Sequence, residues 1–362
     1  MKHNSIMKGS TKGASLIEYG ILIALIAGVG IASVGNLGKR VKTTFGSFTS
    51  TTQSVATGSV LTQEGGGLVN SDTAPVCGNY EFNWAAQESG TPSNLYSVGH
   101  DGTQWLAVGT DGVILSSPDG FVWTPQSSGT DRRLESVAHD GTQWMVVGHS
   151  GTILTSMDGV VWTTQTAGRS SALYSSAHDG TQWLAVGTGT GTILSSSDGV
   201  VWTRQAPPHQ TSGVRTLHSV AHDGSHWVSV GNEGIILTSP DGESWTPQTS
   251  GTNSTLYSVG HDGKQWIAVG QDGVIIRSPD GVNWAGQASA TTNTLHSISH
   301  DGMQWLATGQ VGIVLKSLDG VNWTYESSGW SNGLLASAHD GTQSIFVGVS
   351  GIILTREEFC VD

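Results

Sequence analysis

The sequence predicts an all-β, seven-bladed propeller behind an N-terminal transmembrane α-helix, and three observations carry that prediction. The tripeptide His-Asp-Gly returns seven times, starting at His100, His139, His178, His222, His261, His300 and His339, in steps of 39 residues with one of 44. A tryptophan series, Trp84, Trp123, Trp162, Trp202, Trp245, Trp284 and Trp323, keeps nearly the same step. Far upstream, the 21 residues from Ala14 to Val34 hold one charge, Glu18. Periods near 40 residues, made of short β runs and tight turns, are the signature of propeller blades. An apolar run of about 20 residues is long enough to cross a bilayer as a helix.

In chain order, residues 1–13 form a short polar leader with Lys2, Lys8 and Lys12 and no acid. Residues 14–48 are the apolar helix, and 49–74 a Ser/Thr/Gly-rich linker, extended or flexible. Residues 75–362 are the repeat region. The apolar run is too long for an ordinary secretory signal peptide. The positive-inside tendency keeps the leader cytoplasmic and places the rest outside, although Lys39, Arg40 and Lys42 on the exported side pull the other way.

One repeat shows why it should be a blade. Leu95-Tyr96-Ser97-Val98 reads as a first strand, turned by His100-Asp101-Gly102. Gln104-Trp105-Leu106-Ala107-Val108 is the second, turned by Asp111-Gly112. Val113-Ile114-Leu115-Ser116 is the third, turned by Pro118-Asp119-Gly120, and Val122-Trp123-Thr124 the fourth. Asp-Gly between apolar runs is a strong hairpin signal, because glycine accepts the positive φ of the turn. The 3.6-residue periodicity of a helical repeat is missing. A β-solenoid shares such periods, but four hairpin strands per unit favour a closed ring.

The ring should close by strand exchange. The last unit reaches Gly351-Ile352-Ile353-Leu354-Thr355 and then lacks its tryptophan strand, whereas Tyr80-Glu81-Phe82-Asn83-Trp84 at the start of the region fits that fourth position. Cys360 would follow the third strand and Cys77 precede the fourth, so both sit where the chain ends meet. A Cys77–Cys360 disulfide, the better reading for an exported chain, would staple the closure.

Two resemblances follow from these strings. Gly13-Ala14-Ser15-Leu16-Ile17-Glu18-Tyr19, with Leu37-Gly38-Lys39-Arg40-Val41-Lys42-Thr43-Thr44-Phe45 downstream, resembles the N-terminus of Flp-type type IVb prepilins. That resemblance implies cleavage by a prepilin peptidase between Gly13 and Ala14, with Glu18 and Tyr19 as assembly residues. Glu18 would then pair with the new α-amino group of a neighbouring subunit, which explains a carboxylate near the start of a membrane helix. Flp pilins usually end soon after the helix; this chain continues for about 300 residues. Separately, Ser117-Pro118-Asp119-Gly120-Phe121-Val122-Trp123 and its counterparts resemble the Asp-box of sialidase-like and photosystem-assembly-factor-like propellers, one residue tighter than usual.

Composition narrows the function. Gly at 51 residues and Trp at 14 fit many turns between aromatic strands, and charged residues are 12 %. A net charge of −13 argues against nucleic acid, which needs a basic face. Residues present in every blade, the His-Asp-Gly histidines above all, read as scaffold, bonding within turns and packing beside the Trp series. No unit gathers a calcium loop, and there is no metal-spaced Cys/His cluster, phosphate loop or nucleophile elbow. No cofactor and no metal are expected.

Function should lie where the repeats differ. If the first strand is innermost, the loops entering it share a face with those between the second and third strands. Three successive entering loops carry arginine: Arg132 and Arg133, then Arg169, then Arg215, the last in the one long insertion, Gln205 to Thr216. The final entering loop holds Trp330. These residues, with Glu135, form a candidate pocket for an anionic or sugar-like ligand. Scattered surface arginines are the plainer reading. Just inside, the residue after the first-strand leucine varies as Tyr96, Glu135, Tyr174, His218, Tyr257, His296 and Ala336, a set placed to ring the channel mouth.

The sequence therefore points to a pilin-like, non-enzymatic subunit, held in the bacterial inner membrane as precursor and then displayed on a surface filament. Its partners would be other pilin subunits, the prepilin peptidase and assembly machinery, and an unknown surface ligand such as a glycan. A membrane-anchored extracellular glycosidase or hydrolase using the variable face is the alternative, and a passive coat for the filament a third reading.

Overall fold

A computed structural model describes residues 79–361, apart from 169, 190–191 and 206–215. The leader, the apolar helix with Gly13, Ala14, Glu18 and Tyr19, the linker, and Cys77 all lie outside the described residues. Among the described residues no helix is long and apolar enough to cross a membrane.

The chain forms seven four-stranded antiparallel sheets arranged as propeller blades. Blade 1 runs Leu95–His100, Trp105–Gly109, Ile114–Ser117 and Thr124–Gln126: the middle strands fall within a residue of the sequence expectation, while the first runs two residues further and the fourth begins two residues later, after Trp123. First strands of successive blades lie side by side around the axis and form the channel wall. They are fastened there: Ser97 Oγ of blade 1 accepts the Val137 N–H of blade 2 at 3.2 Å, and Ser136, Ser175, Ser219 and Ser258 repeat the bond onward. The core lies between blades rather than at one centre. Six of the seven interfaces hold a fully buried second-strand tryptophan, such as Trp144 against Leu106, Val108 and Ile114 of blade 1, and the interface of blades 6 and 7 holds Phe346 instead.

Each repeated string has a local physical cause. In Ser117-Pro118-Asp119-Gly120, Ser117 Oγ accepts the Gly120 N–H at 2.8 Å, and Asp119 Oδ1 accepts those of Phe121 and Val122 at 2.9 and 3.2 Å. Trp123 Nε1 then donates to the Gly120 carbonyl at 3.0 Å, which locks serine, aspartate, glycine and tryptophan into one turn. Asp111 and Gly112 take φ of 57° and 68°, the double positive φ of a type I′ turn. A Cβ on Gly112 would lie 1.9 Å from the Thr130 carbonyl oxygen, so that turn also needs glycine for space.

The His-Asp-Gly strings are scaffold as well. Asp101 Oδ1 accepts the N–H groups of Thr103 and Gln104, and His100 Nδ1 accepts that of Gly102 at 3.1 Å. The His100 ring packs 4.5 Å from Trp105, the second-strand tryptophan. The expectation of packing beside the Trp84–Trp323 series is therefore corrected: a residue at a first-strand end meets the start of its hairpin partner, not the fourth strand.

Closure follows the exchange read from the sequence. Blade 7 is Leu334–His339, Gln343–Gly348 and Ile353–Val361, with Asn79–Gln87 as its fourth strand. Its outer pair is longer than expected, with nine residues in each strand, in register from Asn79↔Val361 to Gln87↔Ile353. Cys360 thus lies inside the third strand, opposite Tyr80, rather than after it. No turn joins these two strands, so nothing forces them to bend where the Asp-box sits in other blades. Arg356 stands at the position of the Asp-box serine, and its guanidinium enters the seam with blade 6. Its Nε is 2.7 Å from Glu326 Oε1 and its Nη2 3.1 Å from Oε2, and it stacks 3.5 Å from the centroid of Phe82. Trp84, which has no Asp-box glycine before it, donates instead to Glu326 Oε1 at 3.0 Å.

Candidate ligand-binding face

Loops entering the first strands do share a face with the turns between second and third strands. Thr110 N–H donates to the Asn94 carbonyl, and His149 N–H to that of Arg133, each at 2.9 Å. The mouth of the channel on this face carries the variable collar. Each of its residues sits at a register shift in the first-strand pairing, as between Leu95 and Ser97 or Leu173 and Ser175. A β-bulge re-aims a side chain out of the alternating pattern, so seven bulges present seven side chains at the mouth. The seventh is Leu335, not Ala336: in blade 7 the shift falls between Leu334 and Ala336. The Leu334-Leu335 pair allows two alignments in sequence, and only the pairing with Gly348 chooses between them.

Glu135 is the collar residue around which charge gathers. Its side chain is buried, and its Oε1 lies 2.7 Å from Arg133 Nε and 2.8 Å from His149 Nε2. Arg133 Nη2 donates to Oε2 at 3.0 Å, and the guanidinium lies 3.7 Å from the Tyr96 ring centroid. Burial pushes the Glu135 carboxyl above its ordinary pKa, against the opposing pull of Arg133 and His149.

From His149 an unbroken series of ring contacts runs round the mouth. Centroids are 6.1 Å apart for His149–Tyr174, 5.2 Å for Tyr174–His218, 5.1 Å for His218–Tyr257 and 5.6 Å for Tyr257–His296. Burial lowers the pKa of His218 and His296, so both imidazoles are neutral at pH 7; for His218 this outweighs the Asn232 hydrogen bond at 2.7 Å. Burial also raises Tyr174, with the Glu135 charge adding to it. The collar is thus a charged sector on blades 1 and 2 joined to an uncharged aromatic sector on blades 3 to 6. Tilted aromatic pairs at these distances favour rigidity, and their polar tips supply hydrogen-bonding groups at the rim.

Of the site residues read from the sequence, the structure brings Arg133 and Glu135 together at the mouth. Arg132 turns away, donating from Nη1 to Ser150 Oγ at 2.7 Å on the outer side of its own blade. Trp330 also lies off the collar: its N–H is bonded to Ser328 Oγ, in the loop position held by threonine at the entry to blades 1, 2, 5 and 6, and its carbonyl abuts Gly312. Arg169 and Arg215 lie outside the described residues. His149 was missed because it opens the turn between second and third strands, where other blades carry Thr110, Asn232, Gln271, Gln310 or Val349. Its signal was that it is an ionisable residue at a position that is otherwise uncharged. No group of three or more His, Cys, Asp or Glu among the described residues is placed to hold a metal ion.

Known structures share this architecture. YCF48 from Cyanidioschyzon merolae superimposes with a TM-score of 0.63 at 18 % identity, over 75 % of this chain and 98 % of its own. YCF48 bound to D1 peptide gives 0.63 at 19 %, over 77 % and 95 %. Virginiamycin B lyase from Staphylococcus aureus gives 0.65 at 13 %, over 77 % and 99 %. The likeness is one of fold. No family model matches the chain, and no curated protein matches it in sequence.

Proposed function

We propose that this chain is a type IVb (Flp-like) pilin or pilin-like subunit that displays its propeller as a binding head on a surface filament. The observation that carries this reading is the string Gly13-Ala14 followed by Glu18-Tyr19 within an apolar run. In this reading Glu18 is satisfied by a neighbouring subunit's amino terminus, and the helix drives membrane insertion and then assembly. Cys77 and Cys360 form the staple of the closed ring.

The propeller suits display. Chain entry is at the outermost strand of blade 7, on the perimeter and away from the channel axis. The collar offers a ligand a preformed mouth, with Arg133, Glu135 and the aromatic sector as contacts. A propeller of this architecture, YCF48, binds a peptide, so a protein ligand stands beside a glycan as candidate. The hydrolase alternative draws on Glu135, the buried carboxyl with a raised pKa. Binding is preferred because the Arg133 guanidinium engages both oxygens of Glu135, and the described collar residues include no second carboxylate of the kind glycoside hydrolysis uses.

Mass spectrometry of protein sheared from intact cells tests the reading. An amino terminus at Ala14 in filament material is expected, and Gly13→Leu should leave an unprocessed, unassembled precursor. Full-length chain found only in membranes would overturn it in favour of a signal-anchored propeller.

A further inference from the structure

Five of the seven seams between blades share a polar fastening, and two lack it. The glutamine that opens the second hairpin strand reaches the next blade and donates from Nε2 to the carbonyl of the Asp-box aspartate. Gln104 bonds Asp158 at 2.9 Å, Gln143 bonds Asp198 at 3.2 Å and Gln182 bonds Asp241 at 2.8 Å. Gln265 bonds Asp319 at 3.1 Å, and Gln343 closes the circle onto Asp119 at 2.8 Å. In the blade 4–5 seam His226 stands in the glutamine position, packed under Gly281. The turn's glycine is part of the fit: a Cβ on Gly120 would lie 2.5 Å from Ile345 and 3.1 Å from Gln343 Nε2.

Blade 6 presents the same glutamine, Gln304, but blade 7 has no Asp-box turn to meet it, because its outer strands come from opposite chain ends. Arg356 fills the inner part of the gap. What remains is a cavity of about 390 Å³, bordered by Gln304, Phe82, Met303, Lys316, Leu318 and Asn322. Gln304 is only 5 % exposed, and its side-chain amide donates no hydrogen bond to a described residue, unlike the five glutamines above. It is a polar group at the cavity wall, open to an acceptor that enters. Met303 and Leu318 are exposed at the rim, and Lys316, paired with Glu326 at 3.1 Å, and Asp319 are the charged residues of the lining.

We infer that this socket binds a tight Asp-Gly turn of a partner polypeptide, whose aspartate carbonyl accepts the Gln304 amide as five carbonyls do within the ring itself. The molecule's own seams define the ligand. The carbonyl meets the amide, and glycine is required where the turn lies on the blade. The aspartate carboxylate faces Lys316, and apolar residues after the turn, as at Phe121 and Val122, cover Met303 and Leu318. The partner completes a seventh seam in trans. This inference does not depend on the pilin reading.

The test uses full-length protein in detergent and a fluorescent, disulfide-cyclised peptide copying residues 115–125. Fluorescence anisotropy should show saturable binding of one peptide per chain. Gln304→Leu in the protein should weaken it at least tenfold. So should a valine at the Gly120 position of the peptide, a control that leaves the protein unaltered. No saturation by about 1 mM peptide, the weak limit of specific binding, would overturn the inference. So would unchanged affinity in either variant, or several peptides per chain, which would mean invasion of the occupied seams.

Discussion

Arg356→Met should destabilise the propeller more than any exposed charge change, and the structure sets the size of the effect. The Arg356 side chain is 2 % exposed and that of Glu326 10 %, with two short contacts between them. Removing one partner of a buried pair leaves the other uncompensated and typically costs about 3–5 kcal/mol. Methionine keeps much of the volume, so lost packing on Phe82 adds little. Lys316, 3.1 Å from Glu326 Oε2, compensates part of the stranded charge and holds the value towards the lower end. For a domain of this size each kcal/mol shifts the melting temperature by about 2 °C, so a fall of about 6 °C is expected. The double variant Arg356→Met, Glu326→Leu removes this pair and should recover part of the loss, because a buried pair and an apolar replacement are often near balance; the rest stays with buried Asp301, whose Oδ2 lies 3.6 Å from Arg356 Nη1. Urea unfolding followed by tryptophan fluorescence measures all three, and the cycle isolates the coupling. The lock argument is refuted if Arg356→Met loses under about 1 kcal/mol, or if the two losses simply add.

Val311 is β-branched, 60 % exposed and held at φ 54°, where other blades place Asp111, Ser150, Glu233, Asp272 or Ser350. Since the left-handed region costs an L-residue about 1–2 kcal/mol, Val311→Asn should stabilise by about 1 kcal/mol, and a lower melting temperature would reject this. Acidification should weaken the fold below about pH 6.5, the ordinary histidine value. Burial lowers His100, His218, His222, His261 and His296 in the folded state, so the unfolded chain binds more protons there and stability falls with pH. Among the described carboxyls only Glu135 is shifted upward and opposes them, and the lowered aspartates act only near and below pH 4. A urea midpoint at pH 5.5 equal to or above that at pH 7.5 would contradict it. Reduction should cost the ring about 3–5 kcal/mol if Cys77 and Cys360 are bonded, and an unchanged midpoint rules out the pairing.

Blade number, strand order and circular closure were legible because their causes are local. Ser117, Asp119, Gly120 and Trp123 bond to one another within a few residues, so the string that makes the turn is the string that repeats. The missing tryptophan strand after Leu354 and the spare one at Trp84 were legible as the two ends of one pattern. The collar was half legible. Variation among Tyr96, Glu135, Tyr174, His218, Tyr257 and His296 marked the right positions in six blades, and the bulge that aims them was invisible. Arginine content alone grouped Arg132 with Arg133, although one turns outward and the other to the mouth. Only the closed ring decided what meets across seams: Arg133 with Tyr96, Arg356 with Glu326 and Phe82, and Gln304 with an open socket. Those partners come from different blades or opposite chain ends, and contacts made once across such distances leave no period in a sequence.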